Sequence, residues 1–226
     1  MALFQLRVVF PLVTKIFIYS LIVIWFSSSC KKDNKSESSL PFYNTADFTA
    51  KWINNNADDY QKIHTIEHFS FYDQNGNIFN SDSLKGKIYV ANFFFTICPS
   101  ICPKMTSNLG TLQSTFSQEK AFKIVSFSVT PWIDSVAKLK KYSLKHNINA
   151  ANWRLLTGEK EQIYTLGRKS FFAEKTLGLT KNKTDFLHTE TMVLIDKKSR
   201  IRGVYSATNP DEIPRITEDI RTLLKE

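Results

Sequence analysis

The feature that most constrains the fold is a nearly continuous apolar run, GKIYVANFFFT, at residues 86–96. It is rich in β-branched and aromatic side chains and does not alternate polar with apolar residues, as half-exposed strands do. This composition predicts a strand that is buried on both faces. A second buried strand is predicted at FKIVSFSVT, residues 122–130, with a helix between the two at residues 104–117. The chain therefore contains a strand–helix–strand unit of the α/β class.

The remaining predicted elements extend this unit on both sides. Listed in chain order, they are two short strands around a turn at Asn75 and Gly76, a helix at residues 134–147, a short strand WRLLTG, a helix EKEQIYTLGRKSFF, a hairpin that turns at residues 197–199, and a final helix PDEIPRITEDIRTLLKE. The order β-β-β-α-β-α-β-α-β-β-α predicts a thioredoxin-like fold. In such a fold, a central mixed β-sheet is flanked by helices, here with an N-terminal β-hairpin.

Length and charge exclude some classes of function. A chain of 226 residues with 42% hydrophobic residues can form one globular domain with a substantial core. The net charge of +9 is interpreted as a solvated basic surface. No helix-turn-helix, zinc-finger or RNA-binding signature is present, so we expect no nucleic-acid partner.

The N-terminal segment has the pattern of a targeting signal. Residues 16–26, IFIYSLIVIWF, form an apolar core that is too short to span a bilayer alone, although with residues 8–13 it could form an uncleaved anchor. The following SSSCKKDNKSESS resembles a bacterial lipoprotein signal, in which Cys30 would be lipidated after cleavage; Ser27 departs from the usual leucine. We therefore expect a signal peptide or anchor at 1–29, a lipidated cysteine and flexible tether at 30–61, and a folded domain at 62–226. The domain would lie on the periplasmic side of the cell envelope, anchored to a membrane.

Two cysteines follow the first buried strand in the sequence FFFTICPSICPKM. Pro103 suits the first position of a helix, which would place Cys102 at the N-terminal edge of that helix and Cys98 on the loop before it. The positive end of a helix dipole favours thiolate over thiol. Thiolates serve both disulfide exchange and binding of soft ions such as Cu(I), so the pair alone leaves a redox dithiol, a metal site and a structural disulfide open.

A dithiol metal site usually needs a third ligand, and the chain has four histidines. His64 and His68 are interpreted as structural residues of the first hairpin, and His146 as a helix-terminal residue that complements the dipole. His188 lies on a loop just before a buried strand. In a thioredoxin-like fold that loop returns beside the loop that carries Cys98 and leads into Cys102, which we call the cysteine loop. His188 is therefore the candidate third ligand. Two interpretations of Trp132 stay open: it contacts a partner, or it covers the core.

Four stretches together resemble the Sco family, also called SenC or PrrC. They are NFFFTICPSICPKM, VSFSVTPWID, NWRLLTG and FLHTETMVLID, and with the elements between them they cover residues 62–225. The resemblance implies a thioredoxin-like protein that binds Cu(I) or Cu(II) through Cys98, Cys102 and His188. It also implies delivery of copper to, or reduction of, the dinuclear copper centre of cytochrome c oxidase. Two departures are Thr130 and Leu187, where many members have aspartate.

The sequence thus supports two main hypotheses. The first is a membrane-tethered copper metallochaperone, with the copper-centre subunit of cytochrome c oxidase as partner and another copper chaperone or a thiol reductase as further partners. The alternative is an extracytoplasmic thiol–disulfide oxidoreductase that uses Cys98 and Cys102 as a redox dithiol, for which His188 would be dispensable. Only the alternative makes the chain an enzyme. A thiol peroxidase is disfavoured, because no activating arginine can be placed in the loop.

Overall fold

A mixed seven-stranded sheet forms the centre of the fold. The computed structural model describes residues 39–173 and 190–226. The strands are β1 (Phe42–Tyr43), β2 (Ala50–Lys51), β3 (Ser70–Asp73), β4 (Ile78–Asn80), β5 (Ile88–Phe94), β6 (Phe122–Ser128), β7 (Trp153–Thr157), β8 (Thr191–Ile195) and β9 (Ile201–Ser206). The α-helices are α1 (Ile101–Thr115), α2 (Val136–Lys145), α3 (Lys160–Lys169) and α4 (Glu212–Lys225). Short 3-10 helices lie at Tyr60–Lys62 and Ser81–Leu84.

The strand order places the predicted buried strands at the middle of the sheet. The order is β4-β3-β7-β6-β5-β8-β9, with β5, β6 and β7 parallel and the other pairs antiparallel. Strand β5 pairs with β6 from Ile88 opposite Phe122 to Phe94 opposite Ser128, and all seven of its residues are buried. The thioredoxin-like α/β prediction, with its N-terminal hairpin of β3 and β4, is confirmed.

Two apolar cores cover the two faces of the sheet. Alternate residues of β5 face opposite ways, as the strand period of two requires. Val90 packs in a cluster with residues of α1, α2 and α4, and Ala91 packs in a second cluster with residues of α3. Burial on both faces explains why β5 and β6 were recognisable from composition alone.

Helix α1 begins earlier than predicted, and this changes the position of its proline. The helix starts at Ile101, so Pro103 is its third residue and the prediction of a first position is wrong. The first-turn N–H groups of a helix have no intrahelical partner, so proline is tolerated throughout that turn. The thiol of Cys102 therefore lies inside the first turn of α1 rather than at its edge.

Residues 39–61 belong to the compact unit that begins at Ser39. The Phe42 side chain is buried, and the guanidinium groups of Arg200 and Arg202 lie 4.7 and 4.3 Å from its ring centroid. Arg202 also donates hydrogen bonds to the carbonyls of Leu40 and Pro41, at 2.7 and 3.2 Å. The predicted tether thus lies partly in the folded unit, and for residues 30–38, outside the described ranges, it stays a prediction.

A buried ion-pair network lies where the N-terminal segment meets the sheet. Asp196 accepts from Arg200 at 2.7 Å and from Arg202 at 3.3 Å, and Arg202 also binds both carboxylate oxygens of Glu226 at 2.7 and 3.0 Å. The Arg202 side chain is 2% exposed. A guanidinium this deeply buried is stable only with such hydrogen-bonded partners.

A buried glutamine side chain continues the sheet where the pairing of β3 with β7 ends. Gln74 is fully buried; its Nε2 donates to the carbonyl of Trp153 at 2.9 Å and its Oε1 accepts from the N–H of Leu155 at 3.0 Å. The amide thus replaces a missing residue of the ladder. No helix within the described ranges is long and apolar enough to cross a membrane.

Candidate metal-binding dithiol site

The two cysteines lie where β5 leads into α1, at the carboxyl end of the central strand. Strand β5 ends at Phe94 and α1 begins at Ile101, so Cys98 lies on the connecting loop and Cys102 in the first helical turn. Both are free thiols and both are buried, at 9% and 4% exposure. The fold therefore brings the two predicted thiols together beneath the protein surface.

The backbone of α1 is directed at the Cys98 sulfur. The N–H of Cys102 donates to Cys98 Sγ at 3.3 Å. Burial acts to raise the pKa of the Cys98 thiol, but hydrogen bonds from the N–H groups of Cys102, Ser100 and Ile101, and from the Cys102 thiol, stabilise its thiolate. These bonds outweigh burial, so the pKa of Cys98 lies below its ordinary value.

Cys102 has the opposite electrostatic environment. Burial raises the pKa of its thiol to about 12, and a hydrogen bond from the Phe95 backbone offsets only part of this effect. The hydrogen bond with Cys98 and the negative charges of Cys98 and Asp134 raise the pKa of Cys102 further. The site therefore pairs a thiol of lowered pKa with one of raised pKa, and Cys102 keeps its proton at neutral pH unless a metal ion binds its sulfur or a disulfide forms.

A buried carboxylate that no local sequence pattern signals binds the cysteine loop. Asp134 is fully buried and accepts hydrogen bonds from the backbone N–H and the hydroxyl of Thr96, two residues before Cys98. Ser128 and Thr130 donate to the same carboxylate at 2.6 and 2.9 Å. Thr130, noted as a departure from the Sco pattern, is thus a hydrogen-bond donor to a carboxylate four residues further on.

The profile of the SCO1/SenC family matches residues 57–225, most of the folded unit. The chain belongs to the SCO1/SenC family. A SCO1 protein homolog of Bacillus subtilis (strain 168) is 30% identical over 159 residues, which cover 70% of this chain and 81% of that protein. Membership agrees with the position of the two cysteines after the central strand.

Two solved structures of related proteins resemble this one. A SCO1/SenC family lipoprotein from Bacillus anthracis str. Ames has a TM-score of 0.62 and 32% identity over 71% of this chain and 95% of its own. BsSco, described as a member of the Sco family of cytochrome c oxidase assembly proteins with a disulfide switch, has a TM-score of 0.59 and 27% identity, covering 71% and 94%.

Three of the four histidines of this SCO1/SenC chain have contacts other than with the thiols. His64 Nε2 lies 2.8 Å from the carbonyl of Ser170, and His68 Nε2 lies 2.9 Å from Asn80 Oδ1. His146 is the C-cap residue of α2. The pKa of its imidazole is lowered mainly by partial burial and to a smaller extent by the charge of Lys145. Within the described part of the chain no three His, Cys, Asp or Glu side chains form a metal-binding group. His188 and Cys30 lie outside the described residues.

Two large apolar side chains are exposed on the two loops that Asp134 joins. Ile97, next to Cys98, is 53% exposed, and Trp132, on the loop that Asp134 ties to the cysteine loop, is 59% exposed. The ammonium of Lys160 lies 5.3 Å from the Trp132 ring centroid. Trp132 is therefore too exposed to serve mainly as cover for the core, and its contact with a partner stays a prediction.

Proposed function

We propose that this SCO1/SenC protein is a membrane-tethered copper metallochaperone that binds copper through Cys98, Cys102 and His188. The observation that carries the proposal is the arrangement of the two free thiols, which are buried, hydrogen bonded to each other and held at the start of α1. Thiolate sulfur is a preferred ligand of Cu(I), and the lowered pKa of Cys98 favours its thiolate form. The cysteines fit copper as donors, with His188 as the proposed third ligand.

The proposed recipient is the copper-centre subunit of cytochrome c oxidase. BsSco, 27% identical to this chain, is described as a cytochrome c oxidase assembly protein. Bradyrhizobium japonicum ScoI, which shares the fold at 23% identity and a TM-score of 0.56, has been solved with copper bound. Exposed Ile97 and Trp132, on the two loops that Asp134 joins, offer a surface on which a recipient could dock while the ion passes between sites.

The proposed location is the extracytoplasmic face of a membrane, with a lipid on Cys30 as the anchor. The lipoprotein from Bacillus anthracis, 32% identical, supports this placement. Metabolic labelling with a radioactive fatty acid tests it. The wild-type chain should carry label in the membrane fraction, whereas Cys30→Ser should lose the label; equal labelling of both would contradict lipidation at this residue.

Copper loading tests the ligand set directly. Residues 31–226, which contain the whole compact unit, would be reduced anaerobically, loaded with Cu(I) or Cu(II) and assayed for bound metal and ultraviolet–visible absorption. We expect one copper per chain and a thiolate-to-Cu(II) charge-transfer band that is lost in His188→Ala. His146→Ala, at the C-terminus of α2, is the matched histidine control and should keep the band.

The second candidate function is thiol–disulfide exchange by Cys98 and Cys102. It is favoured by the asymmetry of the pair, because a thiol of lowered pKa beside a buried thiol of raised pKa suits an attacking and a resolving cysteine. Weak copper binding, or binding indifferent to His188→Ala, would favour this function over the metallochaperone. The reduction potential of the dithiol would then be the next quantity to measure.

A further inference from the structure

The strongest unassigned feature is the carboxylate of Asp134, which joins two loops at the carboxyl end of the sheet. Its Oδ2 accepts from the backbone N–H of Thr96 at 3.2 Å, from Ser128 Oγ at 2.6 Å and from Thr130 Oγ1 at 2.9 Å. Its Oδ1 accepts from the hydroxyl of Thr96. Two of the four bonds therefore come from the cysteine loop, and two come from the end of β6 and the residues after it.

The charge of Asp134 has no cationic partner among the described residues, although the side chain is fully buried. Burying a carboxylate without a counter-ion is costly unless several donors compensate, and bonds to an ionised acceptor are stronger than neutral ones. The four donors provide this compensation. The backbone N–H and the hydroxyl of Thr96 thus both bond to one side chain from another loop.

The β6 side of this arrangement is rigid. Ser128 is the last residue of a strand buried in the sheet, and its hydroxyl also accepts from the N–H of Thr130 at 3.2 Å. The N–H of Val129 donates to the carbonyl of Phe94 at 2.9 Å, which aligns the ends of β6 and β5. Asp134 is therefore bonded to the sheet on one side, and on the other side it holds the cysteine loop through Thr96.

We propose that Asp134 is a positioning residue of the dithiol site, which holds Thr96 and through it fixes the loop that carries Cys98. The inference deepens the proposed function, since it concerns the same site, but it can be tested on the metal-free protein. No hydrogen bond joins Asp134 to either sulfur; its charge adds to burial in raising the pKa of Cys102, and its hydrogen bonds hold the loop through Thr96. A loop held in this way keeps both thiols in one geometry before a ligand binds, so binding does not have to pay the entropy of ordering the loop.

Two substitutions at Asp134 separate its hydrogen bonds from its charge. Asp134→Asn can keep all four contacts, because the amide oxygen can take the place of Oδ2 and the amide NH₂ can donate to the Thr96 hydroxyl at the place of Oδ1. Asp134→Ala removes the contacts altogether. If Asp134→Ala does not fold, Thr96→Val is the second variant, because it removes one donor to Asp134 and keeps the β-branched shape.

A matched control lies elsewhere in the sheet. Asp73 is also a buried carboxylate; it accepts from the N–H groups of Asn75 and Asn77 at 2.8 and 3.0 Å and from Arg154 at 2.6 Å. It lies at the end of β3, three strands from β5 in the sheet order. Asp73→Ala should lower the free energy of unfolding without acting on the cysteine loop. It therefore shows how far a general loss of stability alone changes amide exchange and Cu(I) affinity.

The test is amide hydrogen exchange of residues 96–102 in the full metal-free chain, together with Cu(I) affinity from competition with a chelator. Asp134→Ala should speed exchange of this segment and raise the Cu(I) dissociation constant, each by at least about tenfold, because both hydrogen bonds from Thr96 are lost. Asp134→Asn should stay within about threefold of the wild type, Thr96→Val should show faster exchange, and Asp73→Ala should change neither quantity.

Several results would overturn the inference. The first is an unchanged exchange rate of residues 96–102 in Asp134→Ala or Thr96→Val. The second is an equal change of exchange rate and Cu(I) affinity in Asp73→Ala and Asp134→Ala. The third is an Asp134→Asn protein that changes as much as Asp134→Ala, which would assign the effect to the charge rather than to the hydrogen bonds. A wild-type chain that binds no copper would contradict the proposed function instead. The exchange comparison would still decide the role of Asp134.

Discussion

The N–H of Cys102 points at the Sγ of Cys98, with 3.3 Å between nitrogen and sulfur. This contact exists because three residues separate the cysteines, so that Cys102 is in the first turn of α1 while Cys98 is just outside it. The unpaired N–H groups of a helix start then act on the sulfur of the preceding loop, where they stabilise negative charge. The two thiols therefore differ in acidity although both are buried.

Selective alkylation should report this difference. In the reduced metal-free protein at neutral pH, we expect iodoacetamide to modify Cys98 well before Cys102, because the thiolate is the nucleophile. The pKa of Cys98 is lowered by N–H donors against the effect of burial, whereas burial raises the pKa of Cys102 to about 12. Raising the pH increases the Cys98 rate until its thiolate fraction saturates. Peptide mass spectrometry after timed quenching measures both rates.

Denatured protein provides the control for the alkylation experiment. In urea both thiols lose the contacts with α1 and should react at similar rates, since the folded environment causes the difference. A native chain in which Cys102 reacts first, or in which both react equally, would contradict the assigned asymmetry.

The sequence predicts best those elements that are determined by their own residues, and least well those that are held by residues distant in the chain. Strands β5 and β6 were predictable because burial on both faces forces an apolar composition within the strand itself. Strands β1 and β2 were not, because each has two residues and is stabilised from a distance. Phe42 packs against Arg200 and Arg202, some 160 positions away, and no local pattern signals that contact.

The site shows the same contrast. Cys98 and Cys102 were identifiable because cysteines after a buried strand form a local motif, whereas Asp134 was assigned to the start of a predicted helix at residues 134–147. In the structure Ser135 is the N-cap of α2, its hydroxyl accepting from the N–H of Lys138 at 3.4 Å. The Asp134 side chain therefore turns to Thr96, 38 residues earlier, and only the fold reveals that contact.

Arg202 should anchor residues 39–42 to the domain. Arg202→Met keeps much of the apolar stem but leaves the carbonyls of Leu40 and Pro41 without this donor. It also removes both bonds to Glu226 and one donor to Asp196 Oδ2, which keeps its bond from Arg200. We expect a loss of about 2–3 kcal/mol in the free energy of unfolding, measured by urea denaturation. Limited proteolysis should also cut near residue 42 more readily in the variant.

An exposed arginine is the control for Arg202. Arg221 forms an ion pair with Glu218 on the surface of α4, and Arg221→Met should change stability by no more than about 0.5 kcal/mol. Equal losses in the two variants would mean that the buried network at Arg202 contributes no more than a surface pair.

Gly203 should tolerate no side chain, because Tyr205 occupies the space beside it. A Cβ at this position would overlap the Tyr205 hydroxyl and lie 2.6 Å from two ring carbons. Tyr205 is buried and its hydroxyl donates to Asp219 at 2.7 Å, so it cannot move without losing that bond. Gly203→Ala should cost about 2 kcal/mol or more in thermal or urea unfolding.

The opposite result is expected for Gly110, in the middle of α1. A Cβ there meets no atom within 4 Å, and alanine is the better helix former, so Gly110→Ala should stabilise by about 0.5–1 kcal/mol. A neutral Gly203→Ala would show that the Tyr205 ring can shift at little cost.

Gln74→Glu should create a pH-dependent defect, because the buried amide both donates and accepts. Its Nε2 donates to the Trp153 carbonyl and its Oε1 accepts from Leu155. A carboxylate cannot donate, so at pH 7 we expect a loss of about 2–3 kcal/mol in urea unfolding. Burial raises the folded-state pKa of the new carboxyl, so the loss should be small below the unfolded pKa of about 4.3 and grow as the pH rises above it.

Gln113 is the control, because it is a more accessible glutamine with the same pair of backbone contacts, to Asn147 and Asn149. Gln113→Glu should lose less free energy of unfolding than Gln74→Glu, and its loss should depend less on pH. A Gln74→Glu chain as stable at pH 7 as at pH 4, relative to wild type, would mean that water reaches this amide.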